Sequence, residues 1–131
     1  MRENLSAHFK LREFRCPCCG QVQVSPALIR LLESIRAKID EPLYVTSGFR
    51  CPKHNRKVGG EKDSKHLTGQ AADIHARWIS IPELYLIAVE CNPDGGVGIY
   101  DTHVHVDVRQ PEQTARWDRR KKTKKTKEQT A

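Results

Sequence analysis

An α+β fold is predicted for this chain: a small antiparallel sheet with two main helices. Three observations predict it. The chain has 131 residues, the length of one domain. Two stretches carry apolar residues at helical spacing behind N-terminal start signals. About four short strand-like runs lie between and after them in mixed order, without the strand–helix alternation of a parallel βαβ sheet. A chain this long buries a real core, so its stability need not depend on cross-links.

The elements follow in order. Residues 1–20 read as irregular and hold a dense group of thiols, Cys16, Cys18 and Cys19. Ser25 then stands as N-cap, with Pro26 at the first helical position. Leu28, Leu31, Leu32, Ile35 and Ile39 form one apolar stripe, and Glu41-Pro42 ends the helix. Residues 43–46 (LYVT) predict a short strand that runs into the turn-like 47–50 (SGFR). Residues 51–69 are polar and glycine-containing, which predicts a long loop; such loops in small domains are commonly functional. Residues 70–74 predict a second strand. Ser80 and Glu83 make a capping box for a second helix that runs to Cys91, before Asn92-Pro93. Residues 95–100 and 103–108 predict two strands joined by a tight turn at Asp101 and Thr102. No internal repeat is visible.

Charge divides the chain further. The net charge is +7, and residues 118–131 supply five of those charges through seven Lys/Arg against Asp118 and Glu128. This segment has no apolar residue except Ala131, so the reading is a folded domain at 1–117 and a basic, disordered tail at 118–131. The tail is either a solvated, solubilising segment or an arm for anions, such as nucleic acid or an anionic envelope polymer. No apolar run reaches the roughly 18 residues of a membrane span. The first residues lack an apolar h-region, so no secretory signal is expected and the product is expected in the cytoplasm as synthesised.

Three residues carry most of the chemical information: His66, Asp73 and His105. His66 and Asp73 stand seven apart in SKHLTGQAAD (64–73), and His105 lies in HVHVD (103–107). Two imidazoles and a carboxylate are the ligand type and count of a catalytic zinc site, whose fourth position is left for water. Strand alternation sends Val104, Val106 and Val108 to one face and His103, His105 and Asp107 to the other. Such an ionisable row suits the floor of a cleft; the plainer alternative is a solvent-facing strand face.

Ordered motifs extend this pattern: VTSGFRCPKHN at 45–55, VGG at 58–60, SKH at 64–66, GQAADI at 69–74, GGVGIY at 95–100 and VHVDV at 104–108. With Arg116-Trp117 they closely resemble the family of zinc D-Ala-D-Ala carboxypeptidases and peptidoglycan endopeptidases, especially its small single-domain members. That family shares its fold with the Hedgehog signalling domain. The resemblance implies Zn2+ on His66, Asp73 and His105, with peptidoglycan peptides as substrate. It implies that His103 stands free beside the metal and that Arg50 lies near substrate. Many relatives carry an acid three residues before the last zinc-binding histidine. Here Thr102 occupies that place and Asp101 precedes it, so the general base is Asp101 or His103. Action on the cell wall would follow release or lysis.

The remaining residues have plainer expectations. Ser64 is expected to support His66, His75 to stand beside the site or in solvent, and His8 to be exposed. Asp107 is either a hydrogen-bonding partner of the site or structural. Trp78 and Trp117 are expected in the core or the cleft wall. Cys16 and Cys19 resemble half of a structural zinc knuckle, which Cys51 and His54 could complete. Free thiols or a disulfide formed after release are the alternatives. Five cysteines leave at least one outside any intrachain disulfide. A monomeric zinc peptidase is the leading reading. A metal-retaining binding module without turnover and a nucleic-acid-binding protein acting through its tail are the alternatives.

Overall fold

A computed structural model of the chain describes residues 3–121. Helix α1 spans Pro26–Ile39, α2 Pro52–Lys57 and α3 Ile81–Cys91. The strands are β1 Leu43–Ser47, β2 Ala71–Ala76, β3 Gly96–Ile99, β4 Val104–Asp107 and β5 Ala115–Asp118. Short 3-10 turns at Leu11–Phe14, Lys65–Thr68 and Pro111–Gln113 complete the order.

The helices begin where the sequence signals place them. Pro26 opens α1, where its missing N–H breaks no helical bond. Ser25 is the cap residue by position, but its side chain makes no cap bond; its backbone N–H instead donates to the Gly69 carbonyl at 2.8 Å. Ser80 does cap α3, its Oγ accepting from the Glu83 N–H at 3.2 Å.

The sheet order is β1-β2-β4-β3-β5. The first four strands pair antiparallel, and β5 pairs parallel with β3. Alternation along the strands divides two faces. Ala72, Ile74, Val97, Val104 and Val106 pack with Leu28, Leu32 and Ile35 of α1 and Leu84 and Ala88 of α3, all buried in one core. Each large apolar side chain buried there contributes roughly 1.5–3 kcal/mol. The opposite face carries Asp73, His75, His105 and Asp107, and is free of helices α1 and α3.

The α+β class is as predicted, with three additions and three corrections. The predicted loop at 51–69 contains α2 and the turn at Lys65–Thr68. Pro52 opens α2 and Cys51 caps it, its sulfur accepting from the His54 N–H at 3.4 Å. Strand β5 is too short and polar for periodicity to reveal, and its parallel pairing makes the sheet mixed. Asp118, grouped with the tail on charge, ends β5. Beyond it the Arg119 N–H donates to the Ile99 carbonyl at 2.8 Å and the Lys121 N–H to Asp101 at 3.2 Å. The remainder of the tail reading, 122–131, lies outside the described residues. Trp78 is not a core or cleft residue: it is 78% exposed, with the Arg77 guanidinium over its ring. No helix among the described residues is long and apolar enough to cross a membrane.

Candidate active site

Asp73 on β2 and His105 on β4 are direct cross-strand partners, so the sheet register alone places them side by side. His66 arrives from the 3-10 turn that precedes β2. The Ser64 hydroxyl caps that turn, accepting the His66 backbone N–H at 3.2 Å. Ser64 therefore positions the His66 backbone rather than its ring. The three side chains are buried, with His66 at 2%, Asp73 at 6% and His105 at 7% exposure. Asp73 Oδ1 lies 3.2 Å from His66 Nε2 and 3.3 Å from His105 Nδ1.

The outer nitrogens fix which lone pairs face inward. His66 Nδ1 lies 2.7 Å from the Gly48 carbonyl, an acceptor, so Nδ1 carries the proton. His105 Nε2 lies 2.7 Å from Asp107 Oδ2, so there Nε2 carries it. When both rings are neutral, His66 Nε2 and His105 Nδ1 turn lone pairs toward an ionised carboxylate. Three acceptors facing one another repel unless a cation stands between them. The spacing fits one: bonds of about 2.1 Å in a tetrahedron set ligand atoms about 3.4 Å apart. The donor set, two neutral imidazoles and a carboxylate, is one that zinc takes.

Charge works in the same direction. Burial raises the Asp73 pKa, but hydrogen bonds and charge from His105 and His66 outweigh it and hold the carboxyl far below its usual range. Burial lowers the His105 pKa, yet Asp107 and Asp73 raise it overall. Without a cation, protonating an imidazole is the remaining way to relieve the lone-pair repulsion.

Support for His105 comes from a residue pair the sequence only partly disclosed. Asp107 is fully buried and accepts from His105, from the Gly96 N–H at 3.1 Å and from Arg109, which reaches both its oxygens at 2.8 Å. Of the two roles left open for Asp107, the hydrogen-bonding one is what the geometry presents. Arg109 was not anticipated, although its phase with His105 and Asp107, two residues apart, is the signal that could have found it. The Gly48 carbonyl was also missed, since a backbone acceptor leaves no mark in a motif.

Arg50 reaches Asp73 Oδ2 at 3.1 Å, held by Ser47 at 3.1 Å and Asn55 at 3.2 Å. His103 Nε2 stands 3.8 Å from the same oxygen. Its ring stacks on Tyr100, with centroids 4.4 Å apart, and its Nδ1 lies 3.0 Å from the Thr102 hydroxyl. Burial lowers the His103 pKa; the positive charges of His105, His66 and Arg50 add to this, and the Asp73 charge offsets part of it. Burial thus favours the neutral form of His103. Asp101 is exposed, and its carboxylate accepts the Lys121 N–H at 3.2 Å.

These groups line a cleft of about 830 Å³, within the range of ligand sites, together with Tyr100, Arg109, Arg116 and Trp117. Asp101 is not among its lining residues. Trp117 lies against His105, with ring centroids 5.0 Å apart, and its Nε1 donates to the Tyr100 hydroxyl at 3.0 Å. It can approach this closely because the facing strand residue is Gly98, where a Cβ would stand 2.2 Å from the indole nitrogen. His75 stacks on Tyr44 across β1 and β2, and exposed His8 pairs with Glu33 at 2.6 Å.

Away from the cleft, the sulfurs of Cys16, Cys19 and Cys51 lie within 4.8 Å of one another. The ring of His54, expected with them, is not part of that group; it lines a separate surface hollow with Cys18 and Lys53. All five cysteines are free thiols.

A family model described as Peptidase M15 matches residues 7–107 of the chain, a span that contains His66, Asp73, His103, His105 and Asp107. No curated protein matches the chain.

Proposed function

Because the chain belongs to the peptidase M15 family, a family of zinc metallopeptidases, we propose that it hydrolyses peptide bonds in the stem peptides or cross-links of peptidoglycan. The observation that carries the reading is the convergence of His66, Asp73 and His105, with Asp73 Oδ1 3.2 Å from His66 Nε2 and 3.3 Å from His105 Nδ1 and all three ligand atoms within 4.8 Å of one another. These three atoms would hold the zinc. Zinc supplies Lewis acidity, which polarises a peptide carbonyl and brings the pKa of a water toward about 7.

The chain's own residues do the rest. His103 is the general base in this reading. Burial favours its neutral form, it lines the cleft, and its ring is held by Tyr100 and by the Thr102 hydroxyl. Its Nε2 takes the proton of the attacking water and returns it to the leaving amine. Asp101 accepts the Lys121 N–H and does not line the cleft, which favours His103 of the two. Arg50 keeps Asp73 ionised and oriented, and its charge at the cleft wall attracts a substrate carboxylate or the developing oxyanion. Lys65, Arg116 and Arg119, as well as Glu61 and Asp63, also line the cleft. A role in host lysis or wall remodelling follows. The seven Lys/Arg between Arg119 and Lys127 support a second contact, with an anionic envelope polymer, that weakens as salt rises.

Digestion of purified peptidoglycan fragments, followed by mass spectrometry with and without a chelator, tests the reading and identifies the bond. His66→Ala and His105→Ala should each lose the zinc and all turnover. His103→Ala should keep zinc and fold while losing at least about 100-fold in turnover. Full hydrolysis by His103→Ala would remove it as base. No hydrolysis by the zinc-loaded wild-type chain on any fragment would favour a non-catalytic, metal-retaining module.

A further inference from the structure

We propose that Cys16, Cys19 and Cys51 form a second, structural zinc site, separate from the catalytic cleft. The first support is position. Cys16 and Cys19 belong to one tight turn and Cys51 to the cap of α2, thirty-five residues later than Cys16. Folding still brings the three sulfurs within 4.8 Å of one another. A tetrahedral zinc with bonds of about 2.3 Å sets sulfurs about 3.8 Å apart. Closing the group onto a metal therefore needs a contraction of about 1 Å or less at each pair.

The second support is the way the backbone treats the sulfurs. The Cys51 N–H donates to Cys16 Sγ at 3.5 Å, and the His54 N–H donates to Cys51 Sγ at 3.4 Å. N–H donors directed at sulfur favour thiolate over thiol. Cys16 is 1% exposed, so its sulfur is held in place by the surrounding chain. The turn is itself well formed: the Gly20 N–H donates to the Cys16 carbonyl and the Cys16 N–H to the Gln21 carbonyl, both at 2.8 Å. Gly20 takes φ +74°, the left-handed conformation that closes the turn. Three thiols held this close gain little from one another as neutral groups and repel as thiolates. A soft divalent ion removes the repulsion, and zinc is the common partner for sulfur in tetrahedral geometry.

Cys18 and His54 both lie outside the group of three sulfurs and line the hollow beside it, where either is available for the fourth position. A zinc with three thiolates carries a charge of −1, and Lys53, Arg56 and Lys57 line the same hollow to offset it. The site would tie the N-terminal segment to residues 47–51. That stretch supplies the Gly48 carbonyl to His66 and carries Arg50, and the Phe49 N–H already donates to the Phe14 carbonyl at 2.9 Å. The second zinc would thus hold catalytic-site groups in place without touching substrate.

Elemental analysis of the full chain, purified under reducing conditions and equilibrated with zinc, tests this. Two zinc per chain are expected in wild type and one in Cys19→Ser, a substitution at an exposed position that leaves the core intact. His105→Ala should keep the cysteine-bound zinc. Loaded with cobalt, wild type and His105→Ala should show thiolate-to-cobalt charge-transfer absorption, and Cys19→Ser should lose most of it. A single zinc per wild-type chain that Cys19→Ser retains overturns the site, as does a cobalt form without the charge-transfer band.

Discussion

Replacing Asp107 by Asn removes one oxygen and one charge from the point where His105 is oriented. The wild-type carboxylate accepts five hydrogen bonds, from His105 Nε2, the Gly96 N–H, the Arg109 N–H, and Arg109 Nε and Nη2. An amide has one acceptor oxygen, so its NH2 must face donors on one side. The smaller loss puts the NH2 toward His105 and Arg109 Nη2. His105 can then keep a bond there only by moving its proton from Nε2 to Nδ1, the nitrogen that faces Asp73. A protonated Nδ1 cannot ligate a metal. Two charge-assisted bonds at about 1.5–3 kcal/mol each, or one broken buried ion pair at about 3–5, agree on a stability loss of about 3–5 kcal/mol. With an m-value of about 1–3 kcal/mol per molar, the urea midpoint should fall by at least about 1 M. Zinc affinity, read by competition with a chromophoric chelator, should fall about 10- to 100-fold. The pH dependence has a definite sign. Burial raises the Asp107 pKa, but Arg109 and His105 outweigh it and hold the carboxyl well below its usual range. Its contribution is therefore complete above the unfolded value near pH 4 and is lost as pH falls through the lower, folded pKa. The carboxylate's own part of the Asp107→Asn deficit should narrow only in acid, while the part that acts through His105, whose pKa Asp107 raises, should be lost as pH rises through the raised histidine pKa. A variant with wild-type zinc affinity and a urea midpoint unchanged within error would refute the role given to Asp107.

Further outcomes follow from other contacts. Gly98→Ala places a Cβ 2.2 Å from Trp117 Nε1, so the indole must leave His105 and Tyr100, at a cost of about 1–3 kcal/mol; a lower melting temperature and a changed tryptophan emission should report it, and unchanged values would contradict it. Glu33 is raised by burial but lowered overall by the Ser6 hydroxyl and by His8. Glu33→Gln should therefore cost about 1 kcal/mol at pH 7 in denaturant titrations, with the difference from wild type starting to shrink below about pH 4 and lost as pH falls through the lowered, folded pKa. Deleting residues 122–131, after the Lys121 N–H that Asp101 accepts, should leave turnover of small soluble fragments intact while weakening association with whole cell walls at low salt; loss of turnover on the soluble fragment would place the segment in the active fold.

Much of this protein is legible in local sequence. The Pro26 and Ser80 start signals and the Leu28-to-Ile39 stripe mark helices because helix initiation and amphipathicity act within a few residues. The alternation of Val104, Val106 and Val108 against His103, His105 and Asp107 separates core from cleft because strand side chains alternate by geometry. The spacing of His66, Asp73 and His105 names the candidate ligands, since their chemistry resides in the side chains themselves.

Tertiary structure decided what depends on segments distant in sequence. The register of β2 on β4 puts Asp73 opposite His105, and the Gly48 carbonyl chooses the His66 tautomer, although no side chain announces it. Strand β5 has too few residues to show a period, yet its pairing with β3 sets Trp117 over Gly98 and beside His105. Asp101 and His103 are equally plausible as bases when read as letters; the turn between β3 and β4 directs one toward the Lys121 backbone and the other into the cleft. The thiols of Cys16, Cys19 and Cys51 meet, and His54 stays apart, because α2 begins at Pro52 and its cap faces the Cys16 turn. Spacing specifies which groups are available, whereas the direction of each group is set by long-range packing, which no local pattern encodes.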